Sequence, residues 1–512
     1  MHRSRVAALS LVVLGACQNA GQDRVLSIAS TSQVVGLAYF DANRSKSFDS
    51  TDTPMQGLRV YLSARGTSDT LATAVSDATG ALTFDGVPVG RYDVTVDSAS
   101  AGDTVVVVRV DTSQVDVALG DTVSVAVGVS FPLVTVADAR TAPTGKKVFV
   151  AGVALTGTNN FADTTAHLVA ATGPLRLVRV FSGLFSPGDS ILARGTVSAR
   201  DGEPVLSDVA VFTRGIGTLA APDSLSTATA AGAGGGALDA GLARAGGTLQ
   251  DTIPVGRDLA LDVDDGSGVL PVLLDGDVSF QLSPYMVNPA RVVATGVLVP
   301  GALAGTWNLK PRSNLDFKVF IDVTPTVQVR QKPLGTRVFV DGVALSWPNL
   351  FGDSTMHLAD SAGAIRVINT VQGNIFQGDS IRVAGAVAQR DGQPVIANAT
   401  IYRLGLGTVV SKANLTPGEA ASALTGLLDA AYVHLTGTVR DTATVAADFR
   451  AVVWSGSGTD SVTVVLDADV GFSQAAISRW FSGANVDVHG LLVPESGVWV
   501  LKPRAQSDIT QP

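Results

Sequence analysis

The chain has 512 residues, of which only 16% are charged, with 54 glycines and a formal net charge of −9 at pH 7. This length suggests several domains rather than one. The negative net charge gives no global cationic surface for phosphates, which weighs against a general nucleic-acid binder without excluding a local basic patch. Short valine-rich runs alternate with Gly/Asp turns, which predicts an all-β protein.

The N-terminus has the layout of a secretion signal. Two arginines precede an apolar run at 6–14, and the only cysteine of the chain, Cys17, follows it. The run is too short to span a bilayer as a mature helix. An ordinary signal peptide is one interpretation, but it would leave an exported protein with a free thiol.

The tetrapeptide LGAC (14–17) resembles the lipobox of bacterial lipoproteins. This resemblance implies that the cysteine is lipidated and that the protein is anchored in a membrane. Gln18 follows the cysteine, which in that family implies sorting to the outer membrane of a diderm bacterium, on its periplasmic or cell-surface face.

Next along the chain, alternating strands, an A-T-G turn at 78–80 and a P-V-G-R-Y run at 88–92 predict a small β-sandwich over 33–130. The pattern over 33–98 resembles the B-type repeats of Gram-positive serine-aspartate adhesins and the prealbumin-like carboxypeptidase regulatory domain. The resemblance implies a stalk module without catalytic residues. The strands of 103–130 either complete this domain or form a connector.

The loop DANRSKSFDSTD (41–52) places oxygen-bearing side chains at its positions 1, 3, 5, 9 and 12. That spacing suits a hard cation such as Ca²⁺. Lys46 stands where EF-hand-like loops have glycine, and a solvated hairpin loop is the alternative. A structural Ca²⁺ is the one cofactor that the sequence suggests, with the candidate ligands Asp41, Asn43, Ser45, Asp49 and Asp52.

A long internal duplication dominates the rest of the chain. Residues 148–217 recur at 338–407 with a constant shift in numbering, so that VFVAGVAL becomes VFVDGVAL. The closing phrase WNLKPRSNLD (307–316) returns as WVLKPRAQSD (499–508). Such self-similarity fixes the structural unit of the fold.

Each copy divides again into two strand-and-turn modules. Their order of glycines, G-D turns and valine strands is similar to a five-stranded OB-fold, with Gly195 and Gly385 as barrel-bending glycines. The W-x-L-K-P-R closers resemble the ends of OB-like accessory domains of secreted bacterial nucleases. OB-folds bind oligonucleotides, oligosaccharides or proteins, so the resemblance does not identify a ligand.

The predicted architecture is therefore all-β, an N-terminal β-sandwich followed by four OB-like barrels in two tandem pairs. A Gly/Ala-rich segment at 230–241 is predicted to be a flexible joint within the first pair. The predicted domains are a signal peptide (1–16), a tether (17–32), the sandwich (33–130), barrel 1 (133–217), barrel 2 (238–320), barrel 3 (321–408) and barrel 4 (424–510).

The pairs Asp163/His167 and Asp353/His357 are the main candidates for chemistry. Each forms a D-x-x-x-H pattern at the start of a predicted strand. One carboxylate and one imidazole are too few for a structural zinc site. Structural histidines are the favoured interpretation, and a hydrolase that uses these pairs is the alternative. DDGSG (264–268) is predicted to be a turn.

Barrels 1 and 3 are slightly basic, so only they could offer a cationic face. Bases of single-stranded nucleic acid also need aromatic side chains on which to stack, and Phe161, Phe181, Trp347 and Phe351 are available. A solvated mixed surface over core phenylalanines is the alternative. The candidate ligand-binding residues are Arg176, Arg179, Phe185, Arg366, Arg382 and Phe376.

The sequence thus favours a non-enzymatic lipoprotein that binds or organises extracellular ligands such as a glycan, a protein or single-stranded nucleic acid. The alternative function is binding of single-stranded nucleic acid as an accessory to a secreted nuclease.

Overall fold

The structure is a computed structural model that describes residues 31–111, 113–369, 374–408, 414–456 and 458–510. Cys17, the signal segment and almost all of the tether lie outside the described residues. Strands dominate, helices are short, and several five-stranded barrels are present, which confirms the predicted all-β class. Among the described residues, no helix combines the length and the apolar character needed to cross a bilayer.

Two sheets form the N-terminal sandwich. One has the order β2-β1-β9-β7 with β5 also paired to β1, and the other has the order β4-β3-β6-β8. The strands after residue 103 therefore complete the sandwich. Inward side chains such as Val34, Leu62 and Val127 form its core. The strands are β1 Thr31–Phe40, β2 Thr53–Pro54, β3 Arg59–Ala64, β4 Thr70–Val75, β5 Ala81–Pro88, β6 Gly90–Val96, β7 Val106–Val110, β8 Gln114–Val117 and β9 Thr122–Ser130.

Barrel 1 has the strand order β11-β12-β13-β15-β14, and pairing of β11 with β14 closes it. The third and fifth strands of the barrel run parallel, and the other neighbours run antiparallel. This order is that of a five-stranded OB-type barrel. The strands are β10 Leu133–Val134, β11 Lys147–Ala154, β12 Ala166–Ala170, β13 Gly173–Ser182, β14 Asp189–Arg200 and β15 Glu203–Ile216.

The sheet of barrel 2 has the equivalent order, β17-β18-β19-β21-β20, with a pairing between β17 and β20 and with short strands at both ends. The DDGSG segment is the turn between β18 and β19, as predicted, because Asp264 pairs with Val269. The strands are β16 Asp223–Ser224, β17 Leu242–Val255, β18 Asp258–Asp264, β19 Val269–Leu274, β20 Arg291–Pro300, β21 Trp307–Pro311 and β22 Phe317–Phe320.

Barrel 3 is closed in the order β23-β24-β25-β27-β26, and the sheet of barrel 4 has the order β29-β30-β31-β33-β32 with β29 also paired to β32. The strands are β23 Arg337–Ala344, β24 Thr355–Ala359, β25 Ala364–Ile368, β26 Asp379–Arg390, β27 Gln393–Leu406, β28 Asn414–Leu415, β29 Tyr432–Val445, β30 Asp448–Trp454, β31 Ser461–Leu466, β32 Asn485–Glu495, β33 Val498–Lys502 and β34 Ile509–Thr510.

Short helices connect these strands in the described part of the chain. The α-helices are α1 Val136–Thr141, α2 Thr227–Ala231, α3 Thr326–Val329, α4 Pro417–Ser422 and α5 Gln474–Ile477. Single 3₁₀ turns occur at Ser98–Ala101, Asn314–Asp316, Ala423–Gly426, Ala468–Val470 and Gln506–Asp508.

The duplication is preserved down to the strand register. Val148 pairs with Gly195 in barrel 1, and Val338 pairs with Gly385 in barrel 3. The register with the next strand shifts at both glycines. A Cβ on Gly195 would lie 2.6 Å from Leu206 Cγ, so the bent strand leaves no room for a side chain. The two glycines therefore bend the barrels as predicted.

The R-D-G segments are tight hairpin turns. Asp201 and Gly202 have φ of 57° and 84°, and Asp391 and Gly392 have φ of 53° and 75°. Two successive positive φ angles are typical of a type I′ turn, which favours Asp-Gly. These turns connect the two longest strands of barrels 1 and 3 and position the arginine clusters described below.

The Gly/Ala-rich segment differs from the predicted flexible joint. It continues from α2 into a run of turns whose side chains Ala230, Ala233 and Ala240 are buried, and Asp239 is fully buried. Small side chains allow the backbone to pack closely, so glycine and alanine here serve packing rather than flexibility.

Contacts divide the described chain into two compact units. The first contains the residues up to Asp223 with Gly232–Ala243 and Val297–Trp307, and the second contains Ser224–Ala231, Arg244–Gly296 and the residues from Asn308 onwards.

Candidate ligand-binding surfaces

The second and third strands of an OB-fold carry its usual ligand face. In barrel 3 these strands are β24 and β25, and both of their faces are buried. Leu345 and Phe351 of barrel 3 belong to the same hydrophobic cluster as Val464 and Trp480 of barrel 4. The usual ligand face of barrel 3 is therefore covered by barrel 4 within the second unit.

A buried charge cluster lies in this covered face. The carboxylate of Asp429 is fully buried, and Arg366 Nε lies 3.2 Å from Oδ1 and 3.3 Å from Oδ2. Arg330 Nη2 donates to the Asp429 carbonyl at 2.8 Å and lies 3.6 Å from its carboxylate. Burial raises the pKa of Asp429, and the charges of Arg366 and Arg330 oppose that rise. Arg366 also reaches Asp391 at 2.8 Å and the Arg390 carbonyl at 2.9 Å.

The first unit contains the same cluster at the equivalent positions of the first copy. Arg176 Nε lies 4.0 Å from the buried Asp239 carboxylate, and its Nη1 lies 2.9 Å from Asp201. Arg140 donates to the Gly236 carbonyl at 3.0 Å. Trp307 Nε1 donates to Asp239 at 3.0 Å, so the tryptophan of the closing phrase supports the carboxylate. The arginines and the buried aspartate therefore form a structural ion cluster in each of the two copies.

Three of the six predicted ligand-binding residues thus lie inside these clusters or cores. Arg176 and Arg366 are 5% and 3% exposed, and Phe185 is 7% exposed. The sequence did not single out their partners Asp239 and Asp429. One signal was present, because each aspartate precedes an alanine and the two Asp-Ala pairs occupy equivalent positions of the two copies.

The other three predicted residues lie outside these clusters, and Arg179 and Phe376 are exposed. Arg179 pairs with Asp208 at 2.7 Å, and both side chains are more than half exposed. Arg382 forms a two-pronged pair with Asp341 at 2.7 Å for each contact and stacks over the Tyr285 ring at 4.8 Å. Phe376 is 63% exposed. Both arginines therefore already have carboxylate partners, and the Arg382 side chain is only 16% exposed.

The D-x-x-x-H histidines are interior residues. His167 and His357 are each 1% exposed. His357 Nδ1 lies 3.1 Å from the Ser346 hydroxyl, and its ring meets Phe351 edge-on at 5.8 Å. Asp353 accepts the Thr355 amide and hydroxyl at 3.0 and 2.6 Å, so it caps the loop before the strand. The structure therefore places both histidines in the interior, whereas Asp163 is exposed and Asp353 is half-buried in the loop before the strand.

Acid should destabilise the protein through His357. Burial lowers the pKa of this histidine to about 3. The unfolded histidine takes up a proton below about pH 6.5, whereas the folded ring stays neutral until much lower pH. Its share of stability is thus present above pH 6.5 and lost as the pH falls, by about 2 kcal/mol at pH 5. Urea unfolding at pH 7 and pH 5 measures this loss, and His357→Gln should show a loss smaller by that amount. An equal loss in both proteins contradicts the prediction.

The predicted calcium loop is compact and docks on barrel 1 within the first unit. Asp41 is fully buried and accepts the amides of Ser45 at 3.0 Å and Lys46 at 2.9 Å. Asp52 accepts the Ala42 amide at 2.9 Å. Arg194 of barrel 1 donates to the Ala42 carbonyl at 2.7 Å.

The remaining predicted calcium ligands also bond within the loop. Asn43 donates to Asp49 at 2.9 Å, and the Ser45 hydroxyl donates to the Ser47 carbonyl at 2.8 Å. Hydrogen bonds from Thr51 lower the pKa of Asp49 to about 2, which keeps this carboxylate charged. The five candidate ligands therefore lie in one loop, and three of them are aspartates that provide carboxylate oxygens. Calcium binding at this loop stays a prediction.

A groove of about 780 Å³ lies on barrel 2 in the second unit. That volume is typical of small-ligand sites. Its walls come from β17, β20 and the turn after β18, and its lining includes Ser224, Arg244, Gly247, Gln250, Asp265 and Arg291.

The charged groups of the groove differ in how they are engaged. Asp265 accepts the hydroxyls of Thr227 at 2.7 Å and Ser267 at 2.6 Å, and these bonds hold its pKa well below the usual range. Arg291 stacks over the Phe320 ring at 4.5 Å. Arg244 is exposed, and within the described part of the chain its guanidinium forms no hydrogen bond or ion pair. The groove therefore offers a cationic donor that is available to a ligand.

Comparisons with known proteins identify no family. No protein-family model matches the chain, and no curated protein matches it. Solved structures that match parts of it include an OBody bound to hen egg-white lysozyme (17% identity, 20% of this chain and 96% of that chain, TM-score 0.17) and the Ifi202 HINa domain in complex with 20-bp dsDNA (11%, 32% and 96%, TM-score 0.18). A replication protein A heterotrimer bound to ssDNA matches at 7% identity over 53% of this chain and 93% of that chain, with a TM-score of 0.17. These identities and TM-scores are too low to indicate a function.

Proposed function

We propose that this chain is a non-enzymatic binding protein of the cell envelope, anchored through a lipid on Cys17, and that the groove of barrel 2 holds its ligand. The anchor rests on the LGAC motif, and loss of membrane association in Cys17→Ser tests it. The binding function rests mainly on one observation, the guanidinium of Arg244, which has no partner among the described residues and lies in a groove of ligand size.

The lining chemistry favours a hydroxyl-rich, anionic ligand. Ser224, Thr248 and Gln250 line the groove with side chains that hydrogen-bond hydroxyl groups. Arginine binds carboxylates with two parallel hydrogen bonds. An acidic oligosaccharide combines hydroxyl and carboxylate groups, so we propose this class. The arginine clusters do not take part, because Arg176 and Arg366 are buried.

Arg244→Gln should weaken binding of an oligogalacturonate about tenfold or more, because a hydrogen bond to a charged group contributes about 1.5–3 kcal/mol. Calorimetric titration of the full chain with an oligogalacturonate hexamer measures this change. Arg257→Gln is the matched control, since Arg257 belongs to the same barrel, is 77% exposed and lies outside the groove lining.

The alternative ligand gives a different result in the same experiment. A single-stranded oligonucleotide that binds more tightly than the uronate, with an affinity that falls steeply with salt, supports the nucleic-acid function and overturns the glycan. Failure of the hexamer to bind also overturns the acidic-glycan proposal.

A further inference from the structure

A cluster of two histidines and an aspartate lies on the outer surface of barrel 4. His434 on β29 stands directly opposite His489 on β32, and Asp487 is two residues before His489. Side chains alternate between the faces of a strand. Val433 and Val488 point into the core, so His434, Asp487 and His489 all project from the opposite, outer face.

The three side chains converge on one point. One ligand atom from each lies within 4.8 Å of the others. His434 Nε2 lies 2.8 Å from Asp487 Oδ1, and the two imidazole rings stack with centroids 4.4 Å apart. The His434 and Asp487 side chains are 17% and 33% exposed, so an ion from solvent can reach them.

The surroundings orient the cluster for a metal. Asn414 Oδ1 lies 2.8 Å from His434 Nδ1, so this nitrogen can hold the ring proton while Nε2 faces Asp487. A carbonyl acceptor behind a histidine is the usual support of a metal-binding imidazole. His489 Nδ1 is buried and has no hydrogen-bond partner among the described residues.

We infer that His434, Asp487 and His489 form a binding site for a divalent transition-metal ion such as Zn²⁺. Two imidazoles and one carboxylate are ligands that Zn²⁺ accepts, and three protein ligands leave a coordination position for water or a bound group. Ligand atoms at Zn²⁺ distances lie about 3.3 Å apart in a tetrahedral site. Metal entry thus requires the His434–Asp487 contact to open by a few tenths of an ångström and the His489 nitrogen to move closer from within 4.8 Å.

Barrel 2 provides an internal comparison. Alignment of TGTVRD with GGTLQD and of GLLVP with GVLVP matches His434, Asp487 and His489 to Arg244, Val293 and Thr295. Arg244 and Val293 line the groove of barrel 2. Equivalent positions on the outer surfaces of barrels 2 and 4 therefore carry different residues. Of the two barrels, only barrel 4 has the three metal ligands at these positions. This site does not depend on the proposed glycan function.

Titration of the metal-free full chain with Zn²⁺ against a chromophoric chelator tests the site. We expect one site with a micromolar or lower Kd, and a loss of affinity of at least about 100-fold in His489→Ala. Asp487→Asn can donate its amide to His434 Nε2, so it keeps the local structure while weakening Zn²⁺ binding. His357→Gln is the matched control, because it removes a buried histidine outside the cluster and should leave the stoichiometry unchanged.

A second measurement separates metal loss from misfolding. Co²⁺ bound at the site should give visible d–d absorption that disappears in Asp487→Asn and His489→Ala while their far-UV circular dichroism stays native. The inference is overturned if the wild-type chain takes up no Zn²⁺, or if folded His489→Ala binds Zn²⁺ as the wild type does.

Discussion

Asp429→Asn should lower the free energy of unfolding by about 3–5 kcal/mol. The carboxylate is fully buried between Arg366 and Arg330, so a neutral amide leaves the guanidinium of Arg330 in the interior without a counter-charge and leaves Arg366 with Asp391 alone. Breaking a buried ion pair on one side is costly because water cannot solvate the remaining charge. Urea unfolding at pH 7 measures the change.

Asp208→Asn is the matched control for this substitution. Asp208 pairs with Arg179 at 2.7 Å, which is shorter than the 3.2 and 3.6 Å contacts of the Asp429 carboxylate, but both side chains are more than half exposed. Exposed pairs contribute about 0–1 kcal/mol. Equal losses in the two variants would show that water reaches the Asp429 cluster and would contradict the prediction.

Local sequence signals predicted much of the fold. The bending glycines and the DDGSG turn depend on backbone conformations that individual residues dictate, and the structure places both as predicted. The long internal repeat also predicted that barrels 1 and 3 have equivalent structures. These features could be read because each depends on residues close in sequence or on direct comparison of the two copies.

The covered faces could not be read from the sequence in the same way. Alternation assigns Arg176 and Arg366 to the outer face of a strand, but it does not show whether another segment covers that face. Their partners Asp239 and Asp429 lie beyond the end of the same barrel, in the segment that leads into the next one. Two arginines that were predicted to bind a ligand, Arg176 and Arg366, therefore belong to buried ion clusters.

The metal cluster was missed for a different reason. Comparison of the two copies draws attention to residues that both retain, such as His167 and His357, which are buried. His434, Asp487 and His489 occur in one copy only, and His434 is distant in sequence from the other two. Strand pairing brings them together, so only the register of β29 with β32 reveals them.

Phe351→Ala should also lower the free energy of unfolding by about 3–5 kcal/mol, which is typical of a buried phenylalanine. The side chain is 5% exposed, packs edge-on against His357 and lies beneath the Lys502 ammonium at 5.2 Å. Its removal leaves a cavity in the cluster that barrels 3 and 4 share. Differential scanning calorimetry or urea unfolding measures the loss.

The exposed Phe376 separates packing from ligand stacking. Phe376→Ala should change stability by less than about 0.5 kcal/mol, because its ring is 63% exposed. Substitution of an aromatic residue that stacks on bases would lower oligonucleotide affinity without lowering stability, which is the opposite of the result expected for Phe351→Ala. If Phe351→Ala retains full stability but loses such affinity, its ring is a ligand platform and barrel 3 must open to expose it. If stability falls as expected, the face that OB-folds commonly use for ligands serves here to join two barrels, and ligands must bind elsewhere.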